Sequence, residues 1–208
     1  VFVQCAGQRS DKEGELSYCS GHCCNTSIKQ AMYFKNQNPA IDTNVIYTDL
    51  RTPGNGEDFY RSAQKKGVIF TKGKVGEVAS GSGGLEVKFK DLILNDDAVA
   101  KADLVVLATG QVANSGVDIE QVPQDDPGKW QANSASVLNM TYRQGKDIPI
   151  LKNGFNDSHF ICFPYETRRT GIYTCGPVRR PMDMAQAIED ATGAALKAIQ
   201  AVENAGLG

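Results

Sequence analysis

Apolar residues fall in short runs whose period changes several times along the chain, and each change predicts a boundary between elements. Val1, Phe2 and Val3 predict a strand ending at Gln4, and residues 25–38 follow as a helix with Ile28, Ala31, Met32 and Phe34 or Lys35 on one face. Pro39 stops that helix, and Val45, Ile46 and Tyr47 predict a second strand, so the opening unit reads strand, helix, strand. Asn55 is placed to cap a helix through Lys66, with Gly67 as its stop and Val68, Ile69 and Phe70 as a third strand. Over 74–90 two alternating segments flank Ser80, Gly81, Ser82, Gly83 and Gly84, the pattern of a β-hairpin. Residues 103–110 then predict a buried parallel strand that ends in a small-residue turn at Gly110.

Periodicity weakens from Gln111 to about Tyr165, where Pro123, Pro127, Pro149 and Pro164 recur, so this stretch is expected to be a connection with at most short elements. Residues 171–176 predict a short strand and 177–181 a turn. The strongest helical pattern covers 183–204, with Met184, Ala187, Ile188, Ala191, Ala195, Ile199 and Val202 in one apolar stripe. Asp183 is its expected N-cap, with Gln186 three residues on, and Gly206 lies just past its end. The order of elements is that of an α/β fold with a small antiparallel β-meander.

Composition narrows the function classes. The 208 residues make one large domain or two small ones. With 41% hydrophobic and 22% charged residues the chain is neither disordered nor fibrous. Twenty-two basic residues against 24 acidic ones give a net charge of -2, which supplies no drive toward nucleic acid or an anionic membrane. No apolar run approaches the ~20 residues that span a bilayer, so membrane association is expected only through partner subunits. The chain opens on Val1 with no charged leader and is expected to be a piece of a larger protein. Its six cysteines, without a secretion signal, point to a metal or redox site in a reducing, cytoplasmic compartment rather than to a disulfide framework.

Four of those cysteines, Cys5, Cys19, Cys23 and Cys24, stand between the first strand and the first helix. A dinucleotide-binding unit places G-x-G-x-x-G here, so that a pyrophosphate can approach the helix N-terminus. Those glycines are missing. A thiolate-ligated iron–sulfur cluster is also anionic and accepts N–H hydrogen bonds, so the same helix end suits it by the same electrostatics. Adjacent Cys23 and Cys24 would take opposite faces of a strand and need a bent backbone, for which a helix start capped by Asn25 is the expected device. The alternatives are zinc holding the loop from Gln8 to Tyr18, or small buried thiols without metal. His22 reads as a supporting or surface group. A second niche runs from Gly171 to Ala195, where a strand-end glycine faces a helix rich in small residues (Ala187, Ala191, Gly193, Ala194, Ala195); a plain closing β-α unit accounts for it equally.

Phe2-Val3-Gln4-Cys5-Ala6-Gly7-Gln8-Arg9, Tyr18-Cys19-Ser20-Gly21-His22-Cys23-Cys24, Ile28-Lys29-Gln30-Ala31 and Tyr47-Thr48-Asp49-Leu50-Arg51 together resemble the A-type flavoprotein subunit of heterodisulfide reductase. Residues 160–173, from Phe160-Ile161-Cys162-Phe163-Pro164-Tyr165 onward, and 178–188, with Val178-Arg179-Arg180-Pro181, are similar to its relative, the B-type subunit of the quinone-interacting membrane-bound oxidoreductase complex of sulfate reducers. The resemblance implies an oxidoreductase of the Rossmann-like, two-dinucleotide-domain flavoprotein type seen in thioredoxin and glutathione reductases. It implies a nicotinamide-type domain over 1–110, with a 4Fe-4S cluster on Cys5, Cys19, Cys23 and Cys24, and the C-terminal half of an FAD-binding domain over 111–208. FAD contacts would fall to Gly110, Gly176, Pro177, Met184 and Ala185. Pro177 stands where flavin reductases place an Asp, and the first half of an FAD domain is missing, so FAD is expected to bind weakly or not at all. The implied partners are other subunits of a membrane-associated redox complex, with electrons passing between quinone and adenylylsulfate reductase.

Other residues carry plainer expectations. Asp49 stands where a dinucleotide fold puts its ribose-binding acid, but without the glycines it reads as a strand-end cap. Arg168, Arg169, Arg179 and Arg180 would steer an anionic cofactor, dock a partner or line a solvated edge. Cys162 and Cys175 read as small buried hydrophobes, and His159 has no evident partner. No nucleophile–base pair and no paired carboxylates suggest hydrolysis, and the missing glycines argue against a working NAD(P)H reductase. A non-redox docking module with zinc or empty cysteines is the competing class.

Overall fold

Phe2 and Val3 are neighbours in sequence and bury on opposite faces of one sheet, as the two-residue period of a strand requires. The computed structural model describes residues 1–81, 83–114, 150, 151, 153–156, 158, 162–167, 169 and 171–205, which fall into two units, Val1–Gly110 and Gln111–Gly208. Pro123, Pro127, Pro149, His159, Arg168 and Gly206 lie outside the described residues, as does most of the expected connection.

In the first unit the order is β1 (Phe2–Val3), α1 (Cys23–Gln37), β2 (Asn44–Tyr47), α2 (Gly56–Lys65), β3 (Ile69–Gly81), β4 (Gly84–Asp91), β5 (Asp97–Ala102) and β6 (Val106–Leu107). The six strands form one sheet in the order β5-β4-β3-β2-β1-β6. β6, β1, β2 and the start of β3 run parallel, with Phe2 opposite Val45 and Val106, and Val3 opposite Ile46 and Leu107. β3 then continues past a bulge between Val75 and Glu77 into an antiparallel meander with β4 and β5. Phe2, Val45, Ile28, Ala31, Ala63 and Val68 form one core cluster under the two helices. Val3, Ile46 and Val87 form a second on the opposite face of the strands, with Phe89 and Ala100 of the meander packed against it.

The expected elements differ from the observed ones where tertiary context intervenes. β5 was not expected, because Ala98, Val99 and Ala100 alternate with too little contrast to mark a strand. The strand expected over 103–110 shrinks to Val106–Leu107, and Leu104 and Leu107 are half exposed because β6 is the sheet edge. Asn25 does not cap α1: the helix begins at Cys23 with His22 in the N-cap position, and no side chain caps it.

Among its described residues the second unit carries α3 (Met184–Ala205) and, before it, a 3₁₀ turn (Gly176–Val178). The strand expected over 171–176 is a turn with one bridge, Glu166 to Tyr173, held by Thr174 N–H to the Tyr165 carbonyl and Thr167 N–H to that of Ile172. Asp183 caps α3 as expected, accepting the Gln186 N–H at 2.8 Å. The apolar stripe of α3 faces outward instead of inward, with Met184 77% and Val202 73% exposed. The buried side of α3 holds Asp190 and Ala194. Polar anchoring decides this orientation: Asp190 accepts the Gly176 N–H at 2.7 Å and pairs with Arg179 at 2.7 Å, both side chains being almost fully buried. Arg179 also stacks on Tyr165, whose hydroxyl occupies the space a side chain at position 193 would need.

Candidate metal centre

The chain leaves β1 at Cys5, whose φ of 56° is the left-handed conformation that costs a non-glycine residue about 1 kcal/mol or more. Arg9 repeats it at 55°, and Gly7 and Gly21 lie in the same region with open space around them. The excursion from Cys5 to Cys19 closes on itself: Arg9 N–H donates to the Tyr18 carbonyl, Ser10 N–H to that of Leu16, and Leu16 N–H to that of Gly7. Beneath it Gln8 and Ser20 form a buried side-chain clip, Gln8 Nε2 donating to Ser20 Oγ at 2.8 Å. A Cβ at Gly110 would collide with both partners of that clip, and φ is +76° there, so this glycine is required. The turn after β6 thus presses on the floor of the cysteine loop.

Cys23 and Cys24 occupy the first two positions of α1, about 100° apart around its axis. The first turn holds no acid and no side-chain cap. Cys19 Sγ accepts the Gly21 N–H at 3.4 Å, and Cys24 Sγ receives the Arg51 N–H and lies 4.0 Å from the Asp49 carbonyl. Arg9 pairs with Asp49 at 2.5 Å and donates to Thr48 Oγ1 at 3.3 Å, and its guanidinium favours the thiolate form of Cys5.

Burial pushes the Cys23 thiol up to about 11, with charge on Cys24, Cys5 and Cys19 adding to the rise. Burial likewise raises Cys5, where the Arg9 hydrogen bond opposes it and charge on Cys19 adds to it. Cys24 is raised by burial against the pull of the Arg51 N–H, again with Cys5 and Cys19 adding. Each of the four thiols thus feels the charge of the other three. Among the described residues, no three Cys, His, Asp or Glu side chains gather as a single metal ion requires. Four cysteine thiolates are the donor set of a structural zinc site and of a four-iron cluster alike. The Gln4 side-chain amide, buried directly before Cys5 in the sequence, has no hydrogen-bond partner.

Other expected residues fall elsewhere. His22 turns its Nδ1 to within 3.1 Å of the Ser20 carbonyl and holds no thiol. Asp49 is the partner of Arg9 rather than a strand-end cap, and Arg9 beside it holds its carboxyl below the usual carboxylate range. Arg179 is buried against Asp190 and neither steers a cofactor nor lines a solvated edge; Arg169 is buried too, and Arg180 is exposed. Cys162 is exposed and Cys175 half-buried, against the expectation of buried thiols; Cys162 lies in a turn and Cys175 at the start of one. Of the expected FAD contacts, Gly110 sits against the Gln8–Ser20 clip, the Gly176 N–H is taken by Asp190, and Pro177 has no N–H to give. Met184 and Ala185 are exposed at the start of α3. The roles of Arg9, Gln8 and Ser20 were missed in the sequence; the only signal was a cation four positions after the first cysteine.

No family model matches the chain. It is 31% identical over 199 residues, 95% of its length, to the A-type subunit of the ferredoxin:CoB-CoM heterodisulfide reductase of Methanosarcina acetivorans, covering 22% of that protein. It is 30% identical over 200 residues to the A-type iron-sulfur subunit of the CoB--CoM heterodisulfide reductase of Methanocaldococcus jannaschii, covering 94% of this chain and 27% of that one. A protein of Archaeoglobus profundus described as similar to the same heterodisulfide reductase subunit is 28% identical over 204 residues, 97% of this chain and 26% of its own. Among solved structures, thioredoxin reductase of T. acidophilum superposes with a TM-score of 0.52 at 16% identity, over 97% of this chain and 52% of that one. That likeness establishes a Rossmann-like α/β fold. The homologues of this chain are the A-type subunits of heterodisulfide reductases at about 30% identity, and it spans about a quarter of their length.

Proposed function

We propose that the chain is the cluster-bearing part of an oxidoreductase subunit that transfers electrons between a flavin and partner subunits, with Cys5, Cys19, Cys23 and Cys24 holding a 4Fe-4S cluster. The observation that carries this reading is the placement of four free cysteines between the end of β1 and the uncapped first turn of α1. A relative's designation as an iron-sulfur subunit supports it. A bound cluster supplies one-electron redox chemistry. The protein's part is to orient: the Gly21 and Arg51 amides fix two sulfurs, and the Gln8–Ser20 clip sets the loop.

In this reading Val1–Gly110 is a nicotinamide-type domain turned to cluster binding, and Gln111–Gly208 is the returning half of an FAD domain. FAD then needs residues beyond these, because the Gly176 amide is already engaged by Asp190. Residues 160–173 and 178–188 favour the B-type subunit of the quinone-interacting complex of sulfate reducers as the specific relative, with electrons exchanged between quinone and adenylylsulfate reductase in the cytoplasm. No described helix is long and apolar enough to cross a membrane, so attachment would run through partner subunits.

The test is the visible spectrum and iron content of anaerobically prepared protein and of its Cys23→Ser variant. The wild type should hold about four irons per chain with broad charge-transfer absorption, and the variant should lose most of both. Zinc in place of iron, or a spectrum unchanged by the substitution, contradicts the proposal.

A further inference from the structure

The two turns of the β-meander are built from opposite materials. Between β3 and β4, residues 80–84 are serine and glycine only, as an exposed hairpin turn ordinarily requires. Between β4 and β5 the chain instead presents Leu92, Ile93 and Leu94 in succession, 43%, 75% and 77% exposed. None of the three belongs to either core cluster. Backbone hydrogen bonds hold the run in place. Asp91 Oδ1 accepts the Ile93 N–H at 2.7 Å and the Leu94 N–H at 2.9 Å. The Leu92 N–H donates to the Lys72 carbonyl of β3 at 3.0 Å, and the Asp91 N–H closes the loop onto the Asp96 carbonyl at 2.9 Å. Asn95 takes a left-handed φ of 56°, which Asn accepts more readily than most side chains. Three adjacent apolar side chains thus stand in water on a fixed turn, and little chain entropy is left to lose when a partner covers them.

Charge decides the kind of partner. Residues 91–97 contain Asp91, Asp96 and Asp97 and no base. Lys90 stands opposite Asp97 across the hairpin and Lys74 opposite Lys90 across the next pair, so the bases lie back along the strands and the tip itself is acidic. An anionic lipid surface would repel this tip, and two copies meeting tip to tip would bring their carboxylates together. We propose that the Leu92–Leu94 tip is a docking knob that seats in an apolar pocket of a different subunit, rimmed by Arg or Lys side chains. The apolar side chains form the desolvated centre of the contact and the aspartates its polar rim. The proposal rests on the reading of this chain as part of a subunit in an oxidoreductase assembly, and adds to it the place of contact and the chemistry of the partner.

The experiment puts p-benzoylphenylalanine in place of Leu94 in the full-length subunit, purifies the assembled complex anaerobically, irradiates it and maps the joined peptides. The expected product is an adduct to another subunit, at a peptide that combines apolar residues with Arg or Lys. Adding Ile93→Asp should lower the adduct yield about tenfold, because it puts a charge at the centre of the contact. Asp96→Asn should lower it several-fold at low ionic strength and little at high salt, because the rim acts through screened charge. Both replaced side chains are exposed, so thermal melting of the variants should stay near that of wild type. Adducts within the same subunit, to a second copy of it or to lipid overturn the docking role and leave the subunit reading standing. So does a yield no higher than that of the same probe at exposed Lys65, or one indifferent to Ile93→Asp or to Asp96→Asn at low salt. A subunit that purifies with no partner at all removes both.

Discussion

The molecule contains two helix starts that the sequence makes look alike, and they are finished in opposite ways. At Cys23 the helix opens without a cap, without an acid in its first turn, and with two thiols in its first two positions. At Met184 the helix is capped by Asp183, and the glycine amide before it, which looks free in the sequence, is bound by Asp190 from the helix itself. A helix N-terminus attracts anions wherever its donors remain unsatisfied. Satisfaction of those donors, not the strand–glycine–helix order, therefore separates a ligand site from a closed joint.

Breaking the closed joint should have the largest effect. Asp190→Ala leaves Arg179 charged and buried and strands the Gly176 amide, so urea unfolding should show a loss of about 3–5 kcal/mol. A loss below about 1 kcal/mol would mean that α3 is not anchored there. Gly110→Ala comes next. Its left-handed backbone and the Gln8–Ser20 clip should together cost about 1–3 kcal/mol, and iron uptake should fall in step with stability, read by metal analysis and thermal melting. Asp183→Ala removes the cap of α3 and should cost about 1 kcal/mol in the same unfolding assay. The smallest effect sharpens the contrast: His22→Asp gives α1 the cap it lacks. It should stabilise metal-free protein by about 0.5–1 kcal/mol while weakening iron retention under chelator, because the new carboxylate competes for the same donors.

Much of this was legible in the residues themselves. Phe2, Ile28, Val45 and Ile46 announced their elements because strand and helix periods leave few other ways to bury them. The cysteine spacing marked the loop, and Asp183 with Gln186 marked the start of α3. What escaped was set by partners distant in sequence. Nothing local in Ile188, Ile199 or Val202 says that Asp190, on the other side of the same helix, would be bound by Gly176 and Arg179 and turn the apolar stripe outward. β5 went unseen because its pairing with β4, rather than its own alternation, makes it a strand. Arg9 looked like an ordinary loop cation until Asp49, 40 residues later in the chain, came to lie beside it.

Iron-edge X-ray absorption of the anaerobically prepared chain reads the nearest neighbours of the metal directly. Iron surrounded by sulfur with a short iron–iron distance, lost when Cys5, Cys19, Cys23 or Cys24 is replaced one at a time by serine, is the predicted result. Iron ligated by oxygen or nitrogen, or a sulfur shell indifferent to all four replacements, would contradict the assignment of these thiols to one cluster.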